Sequence, residues 1–378
     1  MGLRLGFIVA ILATGCGRFG FGDVAAAGSD SGSGSGDGGG SDAAPRACAT
    51  DADCGACQSC GGDLVCHAEA VTDLYLGHRS TCFIGSGGAR WCSGVLSQFP
   101  SGGFPTRLAG DSGWTSLTLG WVDYFGYQAG ETIEWQDNVT YEYSPDTSWA
   151  DISINEGNYC FRHAAGDATC NDAAVAGAWT TIVGGDDGFC GIRSDGSLWC
   201  WGYDSMNELG GTNPEGTVIA TPTQVGTETN WLAVGNGSAL TCAMKTDHTL
   251  WCMGDPMATG TNGVDPMGVL TPISADTDWT FLNVKFGHAC AGKPDGSVYC
   301  WGTYRGYANI LPGQPTVVVP TAMAGTFDRF EMGGHHYCAI PTGGTQWSCW
   351  GYNDGGQLGN GDTAPRDTPI APFCSAPP

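Results

Sequence analysis

The chain has few positive charges. Of its 378 residues only 14 are Lys or Arg, against 38 Asp or Glu, for a formal net charge of −24. A chain so poor in cations cannot neutralise phosphates, which excludes a sequence-independent grip on nucleic acid or anionic lipid. Charged residues of both signs make up 14%, too few for the Glu- and Lys-rich faces of helical bundles. Long apolar runs are also lacking: residues 7–13 form a short one, below the length that spans a bilayer, and no other stretch reaches it. H-E-x-x-H, G-x-S-x-G and phosphate-loop patterns are missing too. Abundant instead are Gly (63), Cys (19) and Trp (14). Such a mixture points to short strands and tight turns, in an oxidising compartment. The odd number of cysteines leaves one for a separate fate.

Residues 1–15 read as a signal peptide, with Arg4 before the apolar run. Leu12-Ala13-Thr14-Gly15-Cys16 resembles the lipobox of bacterial lipoproteins, although Ala13 stands where Leu is commoner. The resemblance implies lipidation of Cys16 and a cell-envelope location. Gly17 in place of Asp favours the outer membrane or cell surface. The rival cleavage site, after Ala25-Ala26-Ala27, lies beyond Arg18 and Asp23, far from the apolar run. Residues 16–46 are expected to be a flexible Gly/Ser/Asp-rich tether. No calcium-loop pattern organises its Asp residues. Residues 47–70 form a small cysteine-rich segment with Cys48, Cys54, Cys57, Cys60 and Cys66. The Cys54-x-x-Cys57-x-x-Cys60 run fits a metal site or disulfides; export of the unfolded chain favours disulfides and no metal.

From residue 71 to the end the sequence repeats. Five Cys pairs share one spacing: Cys82/Cys92, Cys160/Cys170, Cys190/Cys200, Cys242/Cys252 and Cys290/Cys300; Cys338/Cys349 is one residue longer. Eleven residues before each first Cys stands Val71, Trp149, Trp179, Trp231, Trp279 or Phe327. The same ruler finds a unit without cysteines, where Trp114 leads to Phe125 and Trp135. Units starting near 71, 114, 149, 179, 231, 279 and 327 have a mean period of about 43 residues, the size of a propeller blade. The expected fold is all-β, a seven-bladed propeller over residues 71–378. The third unit, with little sequence between Cys170 and Trp179, is expected to lack a strand.

The Cys spacing also predicts a hairpin. Two Cys facing each other across antiparallel strands, with nine residues between them, leave a three-residue loop whose third position favours positive φ. Those positions are Gly88, Gly166, Gly196, His248 and Gly296. Alternation puts Ile192 and Leu198 on the cysteine face and Trp199 and Trp201 on the other. In the unit at 114 the third position is Glu131, which makes its register uncertain.

Ser194-Asp195-Gly196-Ser197-Leu198-Trp199-Cys200-Trp201-Gly202 resembles the hairpin and Trp-Gly signature of regulator-of-chromosome-condensation repeats. So does the run Asn353 to Gly361, with a weaker echo at Asn207-Glu208-Leu209-Gly210-Gly211. The resemblance implies a seven-bladed propeller. The nucleotide-exchange role of the founding member is not expected, because compartment and charge are wrong. Paired cysteines behind a lipobox look like myxobacterial surface lipoproteins, and a secreted propeller of this class inhibits β-lactamases.

The sequence offers little chemistry. His288 and His336 recur two residues before a Cys and read as hydrogen-bonded structural groups. Asp186, Asp187 and Glu331 read as solvated carboxylates. Asn138 and Asn236 head glycosylation sequons. Trp121, Tyr124, Tyr127, Tyr141 and Tyr143 are a candidate binding patch; the competing reading is that these aromatics replace the missing disulfide. Among the cysteines outside the pairs, Cys48, Cys54, Cys57, Cys60, Cys66 and Cys374 remain once Cys16 is lipidated, and Cys374 is expected to close the ring by pairing with the N-terminal segment. The expected function is a monomeric, cofactor-free, non-enzymatic scaffold for an extracellular protein or glycan, using the long loops at 203–230, 255–278 and 303–326. The alternatives are an inhibitor of an extracellular enzyme and, less favoured, a glycan lyase or hydrolase. A carboxylate pair with a raised pKa in the central channel would favour the last.

Overall fold

In the computed structural model the described residues are 58–60, 66–68 and 71–370, less the segments 86–87, 97–103, 108–112, 121–123, 129–131, 137–140, 145–148, 156–157, 172, 212–213, 264–266 and 304–315. The signal peptide, Cys16, the tether, Cys48, Cys54, Cys57, Trp121, Asn138 and Cys374 lie outside them. Cys60 and Cys66 face each other in the backbone register of a small hairpin.

Seven four-stranded antiparallel sheets follow one another, each built from strands consecutive in sequence. Six are disulfide-bonded blades, with Cys82–Cys92, Cys160–Cys170, Cys190–Cys200, Cys242–Cys252, Cys290–Cys300 and Cys338–Cys349 joining the second strand to the third. The expectation of a seven-bladed propeller is thereby corrected to six disulfide-bonded blades and one further four-stranded sheet. That sheet, spanning 114–144, has no disulfide, and its register sets Phe125 opposite Trp135. The third unit, expected to lack a strand, has four: Ala173–Val175 supplies the last in only three residues.

The hairpins follow from local stereochemistry. Gly88, Gly166, Gly196 and Gly296 have φ of 72°, 94°, 81° and 83°, and His248 joins them at 62°. Gly196 is further constrained, because a Cβ there would stand 2.1 Å from the Thr229 carbonyl oxygen. The closing bond runs from the Arg193 amide to the Ser197 carbonyl (3.0 Å). Counting from it, Cys190 and Cys200 occupy a non-hydrogen-bonded pair, and their Cα atoms are 4.1 Å apart. Each such short loop contributes about 2–3 kcal/mol on chain-entropy grounds.

The sheets stack in one direction. The disulfide face of a blade packs on the tryptophan face of the next. Cys190, Ile192, Leu198 and Cys200 meet Trp231, Val234 and Met253; Cys242 and Cys252 meet Trp279, Val284 and Trp301. Cys82 and Cys92 meet Trp114, Leu117 and Leu119 of the sheet without a disulfide. The last blade meets the first in the same manner: Cys338, Cys349 and Leu358 pack on Leu74, Phe83 and Trp91. At this seam the Arg79 guanidinium donates to both carboxylate oxygens of Asp354, one bond at 3.0 Å, and His336 Nε2 lies 2.7 Å from Thr81 Oγ1. No strand crosses the seam among the described residues.

A second repeated device is a cation between aromatic rings. The residue three after the first Cys is Arg193, Lys245 or Lys293. Arg193 lies 3.5 Å from the Trp199 ring centroid and 4.9 Å from that of Trp179. Lys245 lies 3.8 Å from Trp251 and 4.9 Å from Trp231; Lys293 lies 4.8 Å from Trp279 and 5.5 Å from Tyr299. The turn beside each is held by an Asp. Asp195 Oδ1 accepts from the Ser197 amide and hydroxyl, and Ser197 Oγ in turn accepts from the Trp199 indole N–H. Thr249 repeats this arrangement between Asp247 and Trp251. Replacing Lys245 by Met keeps the aliphatic stem and removes the charge. We expect Lys245→Met to cost about 1–2 kcal/mol in urea unfolding, with Lys245→Arg near wild type.

Outer strands carry prolines: Pro222, Pro272, Pro320 and Pro369 lie within fourth strands. Proline offers no N–H, so these edges are poor templates for pairing with another chain.

Candidate binding face

The inner strands of five units line a central cavity of about 320 Å³. Its wall mixes apolar side chains such as Val183, Leu232 and Val284 with Asp73, Arg329, Lys285 and Glu331. Arg329 lies 3.5 Å from Asp73. Glu331 therefore faces the cavity rather than bulk solvent, which corrects its reading as a solvated carboxylate. At one end the turns between first and second strands narrow the space to a pocket of about 30 Å³, lined by Gly77, Gly120, Gly185, Asp186 and Gly334 among others. The turns touch through backbone: the His78 amide donates to Gly120 O (3.2 Å) and the Gly334 amide to Gly77 O (2.9 Å). Glycine is required by close approach. A Cβ on Gly237 would stand 1.9 Å from Phe286 O, and one on Gly185 would be 2.1 Å from Asn236 Oδ1.

Four histidines gather beside this collar. His78 and His335 have ring centroids 4.7 Å apart, with Phe286 4.5 Å from His78. Burial lowers His78 and His288 to about 4 and His336 to about 3; His335, lowered chiefly by burial and then by the neighbouring imidazoles, falls to about 2. His288 is not the hydrogen-bonded group expected: both ring nitrogens are buried without a partner among the described residues, and the ring packs on Tyr337. Its environment is apolar enough to keep imidazole neutral.

On the same side, the connections from third to fourth strands form loops of two chemistries. In the last blade Asn353 Oδ1 accepts from the Leu358 amide (2.9 Å) and Gln357 Oε1 from the Gly355 amide (2.9 Å). In the fourth unit Asp204 Oδ1 accepts from Leu209 N (3.0 Å) and Glu208 Oε2 from Met206 N (2.6 Å). The frame is the same, with carboxyls in place of amides. Burial raises Asp204 and pushes Glu208 up to about 7. Asp187, expected at a solvated rim, is raised by burial and accepts from Ser205 Oγ (3.2 Å). Asp187 lies in the turn between first and second strands, Asp204 ends the third strand and Glu208 follows it in the loop; none lines the central cavity, and the Glu208 oxygens are taken up by loop N–H and O–H groups. These contacts hold the loop that joins the third strand to the fourth. Among the described residues no group of three or more His, Cys, Asp or Glu is placed to hold a metal ion.

Because the folded Glu208 pKa lies above its unfolded value, its protonated form is favoured by folding. That contribution is complete below about pH 4.5 and is lost as pH rises through 7. We expect Glu208→Gln to gain melting temperature relative to wild type as pH rises from 5 to 8; a difference that does not change with pH would contradict the assignment.

The candidate aromatic patch falls on the 114–144 sheet, with Tyr124 and Tyr127 on the strand Tyr124–Gln128 and Tyr141 and Tyr143 on the strand Tyr141–Ser144; Trp121 lies outside the described residues. Asn236 is 2% exposed and its Nδ2 donates to Thr241 Oγ1 (2.6 Å), so this sequon is closed to glycosylation.

Exposed large apolar side chains do concentrate elsewhere. Tyr203, Val218, Met257, Met267, Val269 and Val319 all lie in the third-to-fourth-strand region of units four to six. No signal of periodicity marks them; the loop positions expected to vary are where they fall.

Likenesses to solved structures point the same way as the repeats. Yeast RCC1 (Prp20), solved with Kap60, superposes with a TM-score of 0.61 over 80% of this chain and 87% of that one, at 14% identity. The chain has the fold of an RCC1-type propeller. Prp20p from Saccharomyces cerevisiae, described with its binding to Gsp1p and histones, gives a TM-score of 0.50 at 15% identity, covering 79% of this chain and 76% of that one. The human E3 ubiquitin-protein ligase HERC2 is 29% identical over 197 residues, 48% of this chain, and its mouse counterpart matches equally. The match spans only 4% of the ligase's length. No family model matches the chain.

Proposed function

We propose that the chain is a non-enzymatic binding scaffold, a propeller of six disulfide-bonded blades with the 114–144 sheet between the first and third units, carried at the cell surface by a lipid on Cys16. The observation that carries the reading is the rigid, disulfide-stapled ring beneath long third-to-fourth-strand loops. RCC1-type propellers solved with protein partners support it as analogy. A rigid ring presents loops without the entropy cost of ordering them on binding. The ligand is an extracellular protein or glycan. Affinity capture from a native envelope extract, with residues 71–378 and the cysteine-rich segment as bait, tests it. A saturable ligand retained by the intact protein and lost after reduction and unfolding is the expected result. Turnover of a glycan by the purified protein, without stable capture, would overturn it.

A further inference from the structure

The apolar residues of units four to six form a connected strip. Tyr203 and Val218 are register partners on neighbouring strands, 46% and 65% exposed. The Gly211 amide donates to Gly268 O (3.2 Å), tying that strand pair to the segment bearing Met267 and Val269. The Asn262 amide donates to Val318 O (2.8 Å), linking the loop of Met257 to Val319. Thioethers suit a surface that adapts to its partner, and the anchored backbone keeps the strip in one shape.

Its electrostatic setting is one-sided. Units four to six, residues 179–326, contain thirteen Asp and Glu but five Lys and Arg. Three of those five, Arg193, Lys245 and Lys293, sit between aromatic rings, and Lys285 lines the central cavity. Four of the five cations are thus held inward, Arg305 lying outside the described residues; of the acids, Asp204 and Glu208 are buried, while Glu215, Asp276 and Asp278 are exposed, the last two about half so even where they meet Lys293. A second copy of the chain, itself at −24, is repelled from such a surface, as is an anionic membrane.

We infer that this strip is a docking site for a basic protein segment carrying apolar or aromatic anchors among its Lys and Arg residues. The inference rests on the scaffold reading and adds to it the site and the partner's chemistry. The anchors fill the space between Tyr203, Met267 and Val319, and the flanking cations meet the acidic surround, which raises the on-rate and rejects acidic competitors.

The test is selection of a random twelve-residue peptide library on the intact chain, followed by titration of the enriched peptides. We expect enriched sequences with net positive charge and at least one aromatic or aliphatic anchor. Their Kd should weaken at least fivefold from 50 to 500 mM NaCl and at least tenfold in the Tyr203→Ser/Val218→Ser/Met267→Ser variant. Phe104→Ser, which removes an equally exposed ring over the seam between the last and first blades, should bind as wild type, with melting temperatures confirming that both variants fold. Enrichment of neutral or acidic peptides, or equal binding by the triple variant, overturns the strip while leaving a scaffold that binds elsewhere. Enrichment of no peptide overturns the strip, and envelope capture then decides the scaffold reading separately.

Discussion

Replacing Gly237 by Ala is expected to destabilise the protein by about 3–5 kcal/mol, in the range of the most damaging single substitutions. The added methyl would stand 1.9 Å from Phe286 O and within 3 Å of its carbonyl carbon and amide nitrogen. All three are backbone atoms of the next blade's turn, so no side-chain rotation relieves the overlap. The blades must part at the collar or the turn must move. Gly343→Ala is the comparison, since its φ is 75° but nothing lies within 4 Å of the new Cβ. It should cost about 1 kcal/mol, the ordinary penalty for left-handed backbone. Urea unfolding of the two variants separates close approach from backbone strain. Equal losses would show that the collar is not tightly packed.

Acid is expected to unfold the protein through the same region. The four collar histidines have folded pKa values lowered from 6.5 to between about 2 and about 4. The unfolded chain therefore binds protons that the folded chain refuses. Stability from these groups is complete above pH 6.5 and is lost as pH falls through that value toward the folded pKa values. A shift of the size seen at His288 corresponds to roughly 3 kcal/mol across the window. Melting temperatures at pH 7.5, 5.5 and 4.5 should fall steeply. His288→Leu removes an imidazole that makes no hydrogen bond, and should be close to neutral at pH 7.5 while reducing the acid loss. His336→Ala, which gives up the contact with Thr81 across the seam, should already be destabilised at pH 7.5. A flat profile for wild type would contradict the burial of these rings.

Much of the propeller is legible in the sequence because disulfides and hairpins obey rigid rules. A fixed Cys spacing demands a three-residue loop, and the loop demands positive φ at its third residue. His248 stands at φ 62° where its homologous positions hold glycine. The 114–144 sheet keeps the same register, with Phe125 opposite Trp135 although no cysteines join them. The short third unit misleads because three residues suffice for an outer strand with only one neighbour.

Other features were visible but unread. Arg193, Lys245 and Lys293 stand at one fixed offset from a Cys, and Trp199, Trp251 and Tyr299 stand directly before its partner. Seen together they spell a cation between two rings. The apolar strip across units four to six has no sequence signature, because its parts come from separate loops joined by backbone bonds such as that from Gly211 to Gly268.

Every unit is complete in consecutive sequence, and the last blade meets the first through the same kind of interface that joins the others. The ring therefore has no privileged starting point within its blades. A gene encoding it can be cut between any two units and rejoined at the old ends without splitting a sheet, and tandem duplication of a unit leaves every existing hydrogen-bond ladder whole. Exchange of single blades between related genes, carrying a new loop into an old ring, follows from the same architecture.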